Sequence, residues 1–401
     1  MKIALVSQEY PPETAKGGIA TQTYLRAHGL TSLGHQVWVI SQSTDGEARS
    51  YKDGEVNVYR IPLIDHLLPV YNEAARWLTY SVDVAVTLHR INREVGFDLA
   101  VFPEWGGEGY IHLLNQTQWN HIPSIVHIHG PMVMFGDTMN WPDKDSDFYR
   151  VGCQMEGTSL RLADAVTASN GCSRKWCAEH YGLDEEAIPV LYSGIDTRLF
   201  APLPVEKYER PTIIFVGSVR RNKGVDLLLK AGALLLKDFP DLQLKILGKG
   251  ESGYMKSLER LVKDEGLGAA VEFKGQVNRA DLPEELSKAH LFAAPSVYEG
   301  GPGNVYLEAM ACGLPAIACS GSGVEGAVLH GNTGYMVEPG HLDQLVNAMG
   351  SLLKDRSMRE EMGRNGRNHV LETADTSVCM RRLEEHYCAV SARARATRVA
   401  S

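Results

Sequence analysis

The sequence predicts an α/β protein made of two doubly wound domains facing a cleft, and three observations carry that prediction. The chain, at 401 residues, exceeds one ordinary domain and suffices for two cores. Short β-branched runs alternate with polar or amphipathic segments, the pattern of a parallel sheet with helices on both faces. The alternation stops once, at the proline-rich and charged "FAPLPVEKYERPT" of residues 200–212, and then starts again.

In the first half the expected strands are "KIALVS", "QVWVIS", "VNVYRI", "DLAVF", "SIVHIH", "DAVTAS" and "IPVLY". After residues 200–212, read as a linker, come "TIIFVG", "LQLKILG", "AVEFKG", "LFAAPS" and "PAIACS". These give two Rossmann-like domains, residues 1–200 and 206–375. Residues 376–401 are expected to form a C-terminal helix and a mobile tail that pack back towards the first domain. In such sheets ligands sit at the carboxyl ends of the strands.

Hydrophobic content of 44% and charged content of 22% are those of a folded protein. The opening "MKIALVSQEYPP" is too short an apolar run for a signal peptide, and no stretch reaches the length of a spanning helix. Seven cysteines without a C-x-x-C pair suit a reducing compartment, so a cytoplasmic location is expected. Up to Val205 the chain holds 15 basic and 24 acidic residues, against 25 of each beyond it. An acidic first half without a basic patch argues against a nucleic-acid partner.

Motifs that could carry chemistry fall at expected strand ends. "FVGSVRRNKGVDLLL" places Arg220, Arg221 and Lys223 between a strand and a helix, where anionic oxygens are well held. "SVYEGGPGNVYLEAMACG" runs from a strand through a glycine-rich turn into a helix. The backbone amides near Gly303, Asn304 and Val305 then point out of a helix N-terminus. Glu299 and Glu308 flank that turn, and a carboxylate can accept two hydrogen bonds from vicinal hydroxyls. Amides, cations and carboxylates together describe a nucleotide-sugar better than a plain phosphate. Either glutamate could instead simply favour a helix N-terminus.

In the first half Gly17 and Gly18 follow the first strand and precede a helix, so a backbone could approach an anion there. His127 and His129, two apart on one strand, face one side, and His129 is read as a hydrogen-bonding group rather than a metal ligand. Glu104 and Trp105 end another strand, either to meet an acceptor or to pack. "DKD" at Asp143–Asp145 is read as a solvated loop. Gly248, Gly250 and Gly253 have the G-x-G-x-x-G spacing of a dinucleotide fingerprint, with Glu272 some 20 residues on. That fingerprint belongs to the first strand of its domain, whereas "TIIFVG" precedes it here.

The chain resembles the retaining nucleotide-sugar glycosyltransferases of family four, which have the two-domain GT-B fold. The resemblance rests on the Gly17–Gly18 loop, "PVLYSGIDTRLFAP", "FVGSVRRNKGVDLLL", "LKILGKGE", "VEFKGQV", "EGGPGNVYLEAMACGLPAIA" and "GNTGYMVEPG". It implies a hexosyltransferase in which Lys223 and a nearby arginine hold the donor diphosphate, Glu308 the ribose, and Glu299 lies near the donor sugar. Gly18 would approach the diphosphate, His129 would touch the sugar, and Gly250 would lie by the nucleotide. It further implies no metal and no cofactor beyond the donor substrate, a UDP-sugar by family frequency. The acceptor would be a small molecule, a glycan or a lipid-linked group; the segment at residues 63–91 fits either an acceptor wall or a peripheral membrane contact.

Two departures stand out. Eight residues separate Glu299 from Glu308 where the family usually has seven, which puts Gly300 in the first glutamate's place. Ser218 stands where the family's arginine commonly follows the strand-end glycine, leaving Arg220 or Arg221 to replace it. A non-catalytic nucleotide-sugar binding protein, a nucleotide-sugar epimerase and a phosphorylase of the same fold fit the same residues.

Overall fold

Five residues, KIALV, open the chain as strand β1 (Lys2–Val6), one exposed lysine followed by four buried positions. Ala4 and Val6 join one apolar cluster while Ile3 and Leu5 join another, so both faces of the strand are covered, as the near-continuous apolar run requires. The computed structural model describes residues 1–14, 18–62, 69–299, 301 and 303–400. These fall into two units, Met1–Gly194 with Ser377–Ser401, and Ile195–Thr376.

In the first unit β1 is followed by α1 (Gly18–Ser32), β2 (Gln36–Gln42), β3 (Arg49–Asp53), β4 (Val56–Ile61) and α2 (Glu73–Val95). Then come β5 (Leu99–Pro103), α3 (Tyr110–Leu114), β6 (Ser124–Ile128), α4 (Met132–Met139), α5 (Asp147–Leu162), β7 (Ala165–Ala168) and α6 (Gly171–Tyr181). The sheet runs β3-β4-β2-β1-β5-β6-β7. Only the β3–β4 pair is antiparallel, and without that edge strand the order is that of a Rossmann-type sheet.

The second unit contains β8 (Thr212–Val216), α7 (Val225–Leu235), β9 (Gln243–Leu247), α8 (Ser252–Asp264), β10 (Val271–Gly275) and α9 (Leu282–Lys288). It continues with β11 (Leu291–Ala293), α10 (Asn304–Ala311), β12 (Ala316–Cys319), β13 (Gly334–Val337), α11 (Leu342–Lys354) and α12 (Arg356–Thr373). Its order, β10-β9-β8-β11-β12-β13, is fully parallel and reverses direction between β8 and β11. The carboxyl ends of those two strands are therefore the ligand-binding crevice of this sheet type.

Five features differ from the sequence reading, the last of them at the C-terminal helix. "IPVLY" is not a strand among the described residues; it keeps a single bridge, Ala168 to Val190. Strand β3, RSYKD, lacks apolar alternation because it is an edge strand with alternate positions at the surface. Strand β13, GYMV, is only four residues long, too short for a periodic signal. The proline-rich segment belongs to the second unit: Phe200 is buried, the Leu203 N–H donates to Ser287 Oγ at 3.1 Å, and the Tyr208 N–H donates to the Lys288 carbonyl at 2.9 Å.

The chain ends in α13 (Thr376–Ala400), one helix where the composition beyond residue 390 predicts a mobile tail. Cys379, Met380, Leu383, Tyr387 and Val390 sit in the same apolar cluster as Ile3, Leu5, Val37 and Leu99. Further along, Ser391 Oγ donates to the Asp98 carbonyl and Arg395 pairs with the Asp98 carboxylate. These bonds fix residues that composition alone reads as loose.

Candidate active site

At the end of β8 the chain passes through Gly217 and the 3₁₀ turn Arg221–Lys223 into Gly224, which caps α7 with φ of 66°. A Cβ at Gly224 would lie 2.2 Å from the Pro295 carbonyl oxygen, so this turn and the one after β11 touch through backbone. The Val297 N–H completes the contact by donating to the Asn222 carbonyl at 2.9 Å. Lys223 is thereby aimed at the neighbouring turn, and its Nζ lies 2.5 Å from Glu299 Oε2. Both side chains are largely covered, at 17% and 11% exposure. Glu299 is held from behind, since its N–H donates to the Ser322 carbonyl at 2.7 Å. Gly300 lies outside the described residues.

Gly303 caps α10 with φ of 71°, and a Cβ there would strike Val324 at 2.6 Å. Only glycine suits such a cap. Asn304 and Val305, half-buried, occupy the first turn, whose N–H groups have no acceptor inside the helix. Glu308, one turn on, is buried. Its carboxylate meets the Arg279 guanidinium at 2.8 Å. Burial raises the Glu308 pKa, and Arg279 opposes that shift. Arg279 sits in the loop after β10, stacked 4.9 Å over the Phe200 ring; the sequence reading misses it because nothing local marks it.

Arg220 and Arg221 are exposed. Arg221 lies 5.2 Å over the Tyr254 ring, whose hydroxyl donates to Asp226 Oδ1 at 3.1 Å. That contact ties the β8 turn to α8. The glycines that mimic a dinucleotide fingerprint serve the same junction. A Cβ at Gly248 would meet the Gly217 carbonyl at 1.8 Å and one at Gly250 the Val219 carbonyl at 2.6 Å, whereas Gly253 has open space. Glu272 pairs with Lys245 at 2.5 Å. The spacing reflects close approach of two strand ends.

In the first unit, Gly17 lies outside the described residues, and Gly18 opens α1 with open space where a side chain would stand. His127 and His129 do share a side, their rings 4.7 Å apart and edge to face. Arg26, buried, approaches His127 Nε2 at 2.6 Å and donates to Ser193 Oγ at 3.0 Å. Because Arg26 can only donate, His127 Nε2 accepts, and its Nδ1–H donates to Thr167 Oγ1 at 2.7 Å. Burial, then Arg26, push both histidine pKa values well below the ordinary range, so both rings are neutral at pH 7. His129 Nδ1 is buried without a hydrogen-bond partner, beside a cavity of about 20 Å³ lined by Arg26, Thr23, His127 and His129.

Glu104 is turned inward. It is fully buried, and its two oxygens accept the N–H groups of His129 at 2.8 Å and Gly130 at 2.5 Å, holding the end of β6. Burial raises its pKa to about 7 and that of nearby Glu108 to about 8. Trp105 packs against Trp77, Phe135 and Trp141. Asp143 accepts the Ser146 N–H and Oγ–H, a local turn ahead of α5.

Two strand-end crevices in Rossmann-type sheets, one carrying a lysine–glutamate pair and a buried glutamate on a glycine-capped helix, define a GT-B type protein. Residues 16–199 match the family described as Glycosyltransferase Family 4, and residues 202–369 match Glycosyl transferases group 1. The chain belongs to this glycosyltransferase family. It is 34% identical, over 52% of its length and 58% of the relative's, to a GDP-mannose-dependent alpha-(1-6)-phosphatidylinositol monomannoside mannosyltransferase of Mycolicibacterium smegmatis. It is 28% identical to an uncharacterized glycosyltransferase of Methanocaldococcus jannaschii, covering 93% of this chain and 94% of that one. Apart from that archaeal protein, the chain spans about half the length of the curated relatives named here and of a D-inositol 3-phosphate glycosyltransferase of Paenarthrobacter aurescens. Among solved structures, sucrose-phosphate synthase from Thermosynechococcus elongatus superposes with a TM-score of 0.78 at 22% identity, over 98% of this chain and 99% of that one. Anabaena HepE in complex with UDP gives 0.72 at 20% identity, over 97% and 100%. Both likenesses concern the fold. None of the described helices is long and apolar enough to cross a membrane.

Proposed function

We propose that the protein transfers a sugar from a nucleoside diphosphate sugar to an acceptor hydroxyl with retention of anomeric configuration, without a metal. The observation that carries this reading is the Lys223–Glu299 pair beside the glycine-capped α10 at the β8/β11 switch point. Lys223, one of Arg220 or Arg221, and the amides of Gly303, Asn304 and Val305 would neutralise charge building on the leaving diphosphate. Glu308 would accept the ribose hydroxyls, Glu299 and His129 would contact the sugar, and Gly18 and Gly250 would let backbone come close to the nucleotide. In the transfer the bond from the sugar to the diphosphate breaks and the acceptor oxygen bonds to the same carbon, while the acceptor proton passes to a departing phosphate oxygen. A neutral His129 suits hydrogen bonding to a sugar hydroxyl rather than charge stabilisation.

A UDP-sugar is the first reading of the donor; GDP-mannose is the second, favoured by the names of relatives that match about half of this chain. The acceptor is a small molecule, a glycan or a lipid-linked group. Thermal-shift measurements against UDP- and GDP-sugars test the reading. A donor at 100 times its dissociation constant adds about 2.7 kcal/mol, a shift that Lys223→Ala should abolish. An undiminished shift in that variant, or donor binding without release of nucleotide in the presence of any acceptor, counts against it.

A further inference from the structure

The second unit has another recess at the opposite end of its sheet. His290 immediately precedes β11 and Pro315 immediately precedes β12, so these lining residues mark the amino ends of the strands, opposite the turn that carries Lys223; neither Lys223 nor Glu308 lines the recess. The cavity is about 620 Å³, the size of a small-molecule site. Its wall gathers Lys207, Arg356, Arg359, Arg364 and Arg367, with Glu360 as the carboxylate in the lining. That carboxylate already accepts from Arg356 Nε at 2.7 Å.

Some of these cations have structural work. Arg367 donates to the Phe200, Ala311 and Thr197 carbonyls, and Arg359 Nη1 donates to those of Leu352 and Leu353. Capping carbonyls does not, however, require five cations around one hollow. Arg356 and Arg359 also stand in the first turn of α12, where the helix dipole is itself positive and basic side chains are disfavoured. Lys207 Nζ donates to the Ala289 carbonyl at 2.6 Å. Its pKa is lowered by burial and then by Arg359. The same burial and the same cations push His290 down to about 4, leaving its imidazole neutral with Nδ1 accepting the Thr212 N–H at 3.1 Å. Lys207, Arg356 and Arg364 are exposed and Arg359 and Arg367 half-buried, so the open recess presents five cations with Glu360 as the carboxylate in its lining. Several phosphate oxygens match such guanidinium and ammonium donors.

We propose that this recess binds a small, multiply charged phosphate-bearing anion, at a site separate from the donor residues of the same unit. Concavity and size fit a small molecule, and the chain's net charge of -9 disfavours a nucleic acid.

Calorimetric titration of the full chain with inorganic pyrophosphate tests the assignment. Because pyrophosphate can also compete for the donor residues, the titration is made in Lys223→Ala. Saturable binding is expected there, weakening at least tenfold when Lys207→Gln or Arg364→Glu is added. Arg364 is exposed, so its replacement leaves the fold intact and provides a variant should Lys207→Gln perturb the segment around it. Absence of saturable binding in Lys223→Ala, or binding that neither added change weakens, overturns the proposal. Both outcomes are independent of whether the donor reading stands, since donor binding is scored separately with the nucleotide-sugars.

Discussion

Glu308 is the residue on which the donor reading is most directly exposed to test. Its carboxylate is covered while its partner Arg279 is half open to water, so Glu308→Gln preserves shape and leaves no buried unpaired charge. Folding stability should change little. Donor affinity should fall tenfold or more, because hydrogen bonds to a charged group contribute about 1.5–3 kcal/mol; calorimetry with the donor checks this, and unchanged affinity removes Glu308 from the ribose. Titration supplies a second test. Glu104 and Glu108, raised to about 7 and about 8, are protonated in the folded unit at pH values where the unfolded chain, with glutamates near about 4.3, has already ionised them. Their contribution is present at low pH and lost as pH rises through those folded values. His127 and His129 act oppositely, losing their contribution as pH falls below about 6.5 and remaining flat above it. From about pH 6.5 to about 8 the glutamates therefore dominate, and the melting temperature of the first unit should fall. All six tryptophans lie before residue 195, so their fluorescence follows that unit. Glu108→Gln, which still accepts the Gln8 N–H, should flatten the fall, and an unaltered slope rules out this origin.

Elements in the second unit are joined by glycines whose roles separate cleanly. Gly224→Ala places a methyl 2.2 Å from a carbonyl oxygen and forces φ of 66° on a residue with a side chain. A cost of about 1–3 kcal/mol or more is expected, with displacement of Lys223. Gly253→Ala, inside α8 with open space around it, should instead be neutral or stabilising by up to about 1 kcal/mol. Urea unfolding of both variants measures the contrast. Donor binding that survives in Gly253→Ala also disposes of the dinucleotide fingerprint at the level of the helix that carries it.

For the whole molecule, the path of the chain matters more than its length. The second unit is one continuous segment, whereas the first is completed by residues 377–401. Deleting those residues uncovers the face that Met380, Leu383, Tyr387 and Val390 bury, and each large apolar side chain contributes about 1.5–3 kcal/mol. Against a total stability of about 5–15 kcal/mol, the truncated chain should lose the cooperative tryptophan transition. Residues 195–376 made alone should still melt cooperatively by circular dichroism. A truncated chain that keeps its fluorescence transition would show that α13 is dispensable to the first unit.

Three things are legible in the order of residues alone: the alternation of strands and helices, the parallel doubly wound character of both sheets, and the turns that gather Lys223, Glu299, Gly303 and Glu308 near strand ends. Those features are written locally, in β-branched runs, in glycines before helices and in residue spacing. Which charges meet is settled only by the folded chain. Lys223 finds Glu299 across 76 positions of sequence, and Arg279, which nothing local marks, covers Glu308. Folding also turns Glu104 inward as a brace for β6, makes the proline-rich segment part of the second unit, and carries α13 as helix through the stretch read as a mobile tail. Such pairings depend on where the sheet order brings distant strand ends together, and burial, which sets the ionisation of Glu104, Glu108 and His129, is a property of that packing alone.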